Sequence, residues 1–341
     1  MFRFFICIFI ISANYTAIAN PSINYKDFTK ILVGKTYNEK YARYNDVIQN
    51  EIDNFHNEFI LPITNFSINN LAINNNALFY PFSGPDISYP LLLFPQIQQY
   101  TLVGLEFPGY PELLEKNFQI SIFEPQIEGY LKSGFFKTMN MSAQMHRDLG
   151  VIPMLIAQIG LLDGEIKNIT RISAPYNGIV IDFIHNNLAK KLYYFRANLN
   201  DYNDKEEFFD FINKNHLIDN CMLKASSYKL QQVEFSGMRT FMLEKCNIIV
   251  EDDTGIALKS LLQNKFDVSL FGNYTNPYGS EFKPYYQKDL AKLYSRIDNK
   301  TQLDFCFGYG CNQVEANILV AKKDKNQTSS IHPEPQGASK S

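Results

Sequence analysis

The chain has 341 residues, with 32 Lys and Arg against 35 Asp and Glu and a formal net charge of −3. Its charge forms no basic stripe, which makes nucleic acid and anionic membrane poor guesses as partners. The length suits one large domain or two modest ones, either with a real core, and 21 Tyr and 28 Phe without any Trp supply its large side chains.

In chain order, Met1-Phe2-Arg3 is a short basic start, and Phe4 to Ala13 is apolar except for Ser12. Ala17-Ile18-Ala19 then offers small residues for a signal peptidase. This order predicts a cleaved export signal at residues 1–19 and a secreted or periplasmic protein that begins at Asn20. The apolar run is about half the roughly 20 residues a spanning helix needs, and no later stretch is long and apolar enough, so no membrane span is expected after cleavage.

Residues 20–76 are predicted as a helical lead-in. Tyr37, Tyr41, Tyr44, Val47, Ile48, Ile52, Phe55 and Phe59 recur near a 3.6-residue period. An α/β domain is expected over 77–321. Ala77–Tyr80 reads as a strand, Pro81–Asp86 as a tight loop, Ile87–Gln98 as helix and Tyr100–Glu106 as a second buried strand, together a βαβ unit.

Helical patterns run from Pro111 to Leu162. Glu165–Ile172, Ile179–His185 and Lys191–Ala197 then read as a three-stranded antiparallel insertion at about 165–199, with Asn177-Gly178 as a turn signal. Alternation resumes with helix at Lys205–Asn215, strand at Cys221–Ala225, helix at Phe235–Lys245 and strand at Ile248–Val250. Helix at Ile256–Leu262, strand at Asp267–Phe271 and helix at Pro284–Ser295 follow. A β-hairpin of Gln302–Tyr309 with Ala316–Ala321 is expected to close the domain, and polar residues 322–341 read as a disordered tail. The string as a whole predicts an α/β fold with a Rossmann-like mixed sheet.

Three loops at predicted strand ends carry the candidate chemistry. Ser83 and Gly84 make a turn with free backbone N–H groups near a helix start, suited to a polar ligand. Asp86 ends that loop, as a ligand contact or as a plain N-cap. Glu106 ends the next strand, where an acid can hold a hydroxyl pair. It reads equally as an exposed strand-end carboxylate. Glu251-Asp252-Asp253 is the densest acid cluster after a strand. Asp252 and Asp253 suit a hard cation or a general base; the alternative is that Asp253 or Thr254 caps the next helix.

No metal site is predicted, since no CxxC or H-x-x-x-H spacing occurs, and no G-x-S-x-G elbow marks a hydrolase. His56, His146, His185, His216 and His332 fall in different elements. Cys221, Cys246, Cys306 and Cys311 are even in number and permit two disulfides in an exported chain, with the pairing open; buried thiols are the alternative.

Tyr80-Pro-Phe-Ser-Gly-Pro-Asp86, Gly104-Leu-Glu106 and Asp252-Asp-Thr-Gly255 together resemble a family of uncharacterised exported bacterial proteins. There a YPFSGPD-like loop, a GLE strand and a DDSGIP-like loop recur in this order, and the resemblance covers most of residues 75–320. The chain departs at Thr254, where the family has serine, and at Ala257, where it has proline. The family carries no established activity, so the resemblance implies membership and not function. The same order looks like the cofactor half of class I methyltransferases, an analogy of fold only.

Two functions are open at this point. One is binding of a small polar ligand or a protein partner by these loops. The other is an enzyme that uses Asp86, Glu106, Asp252 and Asp253, with or without a divalent cation. No cofactor is specified by any motif. Whether Asp86, Glu106 and Asp252 share one cleft separates a pocket from a set of caps and turns.

Overall fold

A computed structural model describes residues 23–36, 38–71, 76–134, 148–201, 205–224, 226–277, 279–297, 303–309 and 316–324. The expected export signal, Cys311, His146, His332 and the tail beyond Asp324 lie outside the described residues.

Nine strands form one mixed sheet: β1 Ala77–Tyr80, β2 Gln99–Gly104, β3 Glu165–Ile172, β4 Gly178–His185, β5 Leu188–Arg196, β6 Asn220–Leu223, β7 Ile248–Glu251, β8 Phe266–Gly272 and β9 Asn317–Lys323. Their spatial order is β3-β4-β5-β2-β1-β6-β7-β9-β8. The centre, β5-β2-β1-β6-β7, is parallel throughout, with Tyr80 opposite Leu102 and Leu78 opposite Asn220. Strand order reverses at β1, the topological switch point of an open α/β sheet. This is a Rossmann-like α/β fold. The antiparallel insertion is β3-β4-β5, registered from Glu165↔Ile184 and from Gly178↔Phe195.

Alternation along the central strands divides the core in two. Leu78, Tyr80, Tyr100, Leu102, Met222 and Val250 face one apolar cluster, and Phe79, Val103, Cys221, Leu223 and Ile249 face the other. Both faces are therefore covered, as a parallel sheet requires. The first cluster also contains Tyr25, Leu32, Ile48, Phe55 and Phe66, from helices at Tyr25–Leu32, Ala42–Phe55 and Leu61–Asn70. Helices at Lys205–Lys214 and Ser236–Lys245 contribute Phe208, Ile212, Met238 and Met242 to the second.

Several elements differ from expectation for local reasons. The helix after β1 covers only Ser88–Leu93, because Pro95 removes an N–H and biases Phe94 out of the helical region. The long N-terminal helix is interrupted by a π-turn at His56–Ile60, just before Pro62. The closing antiparallel pair exists with a different partner: β9 pairs with β8, from Phe266↔Lys323 to Gly272↔Asn317, and with β7. Leu303–Tyr309 forms no strand. Its Phe305 and Phe307 are buried in the first cluster instead, so the alternating aromatics reflect core filling. The strand also continues through Lys322 and Lys323, into the span expected as tail.

Cys221 on β6 and Cys246, just before β7, are disulfide-bonded with Cα atoms 6.1 Å apart. Cys306 is disulfide-bonded as well. No helix among the described residues is long and apolar enough to cross a membrane.

Candidate functional site

The site lies where the parallel strands end. After β2 the chain continues through Leu105 to Glu106, whose side chain turns back over Gly104. A Cβ at Gly104 would collide with Glu106 Oε2 and with the Tyr194 hydroxyl, so only glycine admits this arrangement. Gly84 approaches from the β1 loop with φ +53°, and a Cβ there would lie 3.6 Å from Glu106 Oε2. Ser83 anchors the same loop, its N–H donating to Val103 O at 3.0 Å and its hydroxyl to Gly84 O at 2.9 Å.

Glu106 is only 3% exposed. Tyr194 on β5 donates its hydroxyl to Glu106 Oε2 at 3.1 Å. Burial, reinforced by the carboxylate, pushes the Tyr194 hydroxyl well above its ordinary pKa, which keeps it protonated and donating. Oε1 has no hydrogen-bond partner among the described residues. A buried carboxylate oxygen left unpaired is costly, and such groups are rare.

Beside it opens a cleft of about 80 Å³, lined by Phe82, Gly84, Val103, Gly104, Leu105 and Glu106 from the first two strand ends. Ala197, Asn198 and Leu199 after β5, with Ser226, Lys229 and Phe235 after β6, complete it. Its walls are mixed, with Phe82 and Phe235 in edge-to-face contact at 5.5 Å on the apolar side. Leu105 stands at its rim, 61% exposed, and the Lys229 ammonium lies 5.2 Å from the Phe235 ring centroid. The volume suits one polar group of a few atoms, with the rest of any ligand lying outside.

The other acids lie elsewhere. Asp86 is buried in an ion pair with Lys224, at 2.7 Å. Lys224 directly follows β6 and also donates to Gly134 O at 2.8 Å, with its ammonium 3.7 Å from the Tyr89 ring centroid. Tyr80 and Tyr130 hydroxyls approach the Asp86 oxygens at 3.4 Å. Burial lowers the Lys224 pKa while Asp86 raises it, and burial next to Asp86 drives the Tyr80, Tyr89 and Tyr130 hydroxyls well upward. This ion pair fills the switch point between β1 and β6, where an open sheet usually leaves a crevice.

Asp252 has donors on both oxygens. Its Oδ1 accepts from the Ser227 hydroxyl at 2.9 Å, the Thr254 hydroxyl at 2.7 Å and Thr254 N–H at 3.1 Å, and its Oδ2 from Tyr309 N–H at 3.2 Å. Burial raises its pKa, and those donors oppose the rise. Asp253 exchanges hydrogen bonds with Asn317 of β9, each at 2.8 Å. Glu251, fully buried, accepts from Ile256 N–H at 2.8 Å and is pushed far above the carboxylate range by burial.

Of the six candidate binding residues, then, Gly84 and Glu106 line the cleft, while Ser83, Asp86, Asp252 and Asp253 do not. Among the described residues, no three His, Cys, Asp or Glu side chains sit where they could hold a metal ion. Sequence reasoning missed Tyr194, Lys224, Lys229 and Asn198. Only Lys224 carried a local signal, as a lone cation directly after an apolar strand.

No family model matches the chain, and no curated protein matches it. Among solved structures it is similar to the plantazolicin methyltransferase BpumL in complex with SAH, at 8% identity and a TM-score of 0.28 over 88% of this chain and 98% of that one. At that TM-score the likeness carries no argument.

Proposed function

We propose that this chain is an exported binding protein for a small polar ligand, gripped by Glu106 at the ends of β1, β2 and β5. The observation that carries this is the buried Glu106 carboxylate with one oxygen paired to Tyr194 and the other without a donor, at a cleft edged by Gly84 and Gly104. A carboxylate so placed asks for a ligand hydroxyl pair or ammonium. Phe82, Phe235 and Leu105 offer an apolar wall for its remainder, and Lys229 and Asn198 offer donors at the rim. The catalytic alternative needs Asp86, Asp252 and Asp253 to act with Glu106. Internal donors hold all three, and none lines the cleft. Export rests on residues 1–19 together with the Cys221–Cys246 disulfide, a bond at home in an oxidising compartment.

The test is a thermal-shift screen of nucleosides, sugars, amines, peptides and divalent cations, repeated on Glu106→Gln. A ligand at about 100 times its Kd stabilises the folded state by roughly 2.7 kcal/mol. That is several degrees for a domain of this size, at about 2–4 °C per kcal/mol. Hits among diols or amines that vanish in Glu106→Gln support the reading. Hits indifferent to Glu106 refute it, and a flat screen transfers the case to a protein partner and a pull-down.

A further inference from the structure

A second cavity, of about 260 Å³, lies at the opposite edge of the sheet, where the parallel strands β2 and β5 begin. Its walls come from four separate places: the π-turn with Ile60, the end of the helix after β1 with Leu91 and Leu92, the chain entering β3 with Leu161, and the β4–β5 turn with His185. We propose that it binds a small uncharged ligand with an apolar body and one hydroxyl or N–H group, which donates its hydrogen to His185 Nδ1.

An apolar cavity of about 150 Å³ is enough to hold benzene, so this one accepts a single aromatic ring with substituents. Ile60, Leu91, Leu92 and Leu161 give the cavity an apolar side that suits an apolar body, while His56, Asn186 and Asp163, the last ion-paired with Lys35, make up a polar side. The chemistry then turns on His185, which is 7% exposed. Its ring is hydrogen-bonded to the Leu162 backbone, while Nδ1 has no partner among the described residues. Burial and the nearby Lys190 favour the neutral imidazole, against the opposing pull of Asp163 and of the Leu162 hydrogen bond. A neutral ring that donates from one nitrogen leaves the other as a lone-pair acceptor. A ligand that brings one donor completes it. π-Turns inserted in α-helices recur at functional sites, and here the inserted turn, His56–Ile60, is part of the wall. The strands lie between this cavity and the Glu106 cleft, and neither site depends on the other.

Phenol and toluene are the probes, of nearly one shape and differing in the hydroxyl. Titration of the full chain is followed through the histidine ring signals by NMR. Phenol is expected to bind in about the millimolar range and to shift His185, and toluene about tenfold more weakly, the worth of one neutral hydrogen bond. In His185→Phe that preference disappears. If that variant fails to fold, Ile60→Trp fills the cavity from another wall and should abolish phenol binding. Equal affinity for the two probes, no binding of either at several millimolar, or phenol binding untouched by Ile60→Trp would each overturn the proposal.

Discussion

The Glu106 and Asp252 corners begin alike, each an acid just past the end of a parallel strand, both nearly fully buried. They end differently. Asp252 gathers four hydrogen bonds from Ser227, Thr254 and Tyr309, and a Cβ at Gly308 would collide with its side chain. Glu106 receives the Tyr194 hydroxyl and keeps one oxygen empty beside a cleft. A carboxylate with donors on both oxygens is a structural joint, cross-linking loops that lie far apart in the chain. One with an open lone pair still has a bond to make. The density of acids in the sequence points to the Asp252 corner, whereas an unpaired oxygen on a residue that lines the cleft points to Glu106; Glu251 also keeps one oxygen unpaired, but it does not line that cleft.

The contrast can be broken or sharpened by substitution. The largest effect is expected at a third acid, Asp86, whose burial is compensated by Lys224. Lys224→Met leaves a buried charge unpaired and should cost about 3–5 kcal/mol in urea unfolding. The double variant with Asp86→Asn should recover much of that, and a cost under about 1 kcal/mol for Lys224→Met alone would contradict the ion pair as drawn. Next comes Asp252→Ala, which strands the Ser227, Thr254 and Tyr309 donors. A loss of roughly 1–3 kcal/mol is expected.

Acid titration gives a smaller, signed effect. Glu251 is fully buried and its pKa is raised well above the ordinary 4.5. Above pH 4.5 the unfolded chain releases this proton while the folded chain keeps it, so stability falls as pH rises toward the folded pKa. The slope contributed is at most about 1.4 kcal/mol per pH unit. Asp252, also raised, adds the same sign. Glu251→Gln should flatten the fall in a pH series of unfolding midpoints. A slope that is unchanged would place the ionisation elsewhere. Smallest of all is Glu106→Gln, expected to alter stability by no more than about 0.5 kcal/mol, because only one of its oxygens is paired. A loss as large as that of Asp252→Ala would make Glu106 another joint.

Much of the fold was legible because local pattern reports local structure. The β1-helix-β2 unit and the β3-β4-β5 meander each announce themselves through alternation and turn residues within a few tens of positions. The partner of β9 was not legible, since Phe266–Gly272 is a distant stretch, and the aromatic run at Leu303–Tyr309 imitates a strand while it fills the core. The site was half legible for the same reason. Gly84 and Glu106 stand at recognisable strand ends. What separates Glu106 from Asp86 is the company each keeps: Tyr194 comes from 88 residues away and Lys224 from 138. No spacing along the chain encodes those partners.

The most direct test is isothermal titration of adenosine, which joins a vicinal diol to a flat apolar ring, into the wild-type chain, Glu106→Gln and Asp252→Asn. The account predicts heat of binding with wild type and with folded Asp252→Asn, and none with Glu106→Gln. Binding retained by Glu106→Gln, or no binding to wild type by adenosine or by any other diol or amine, would contradict the assignment of the ligand site to Glu106.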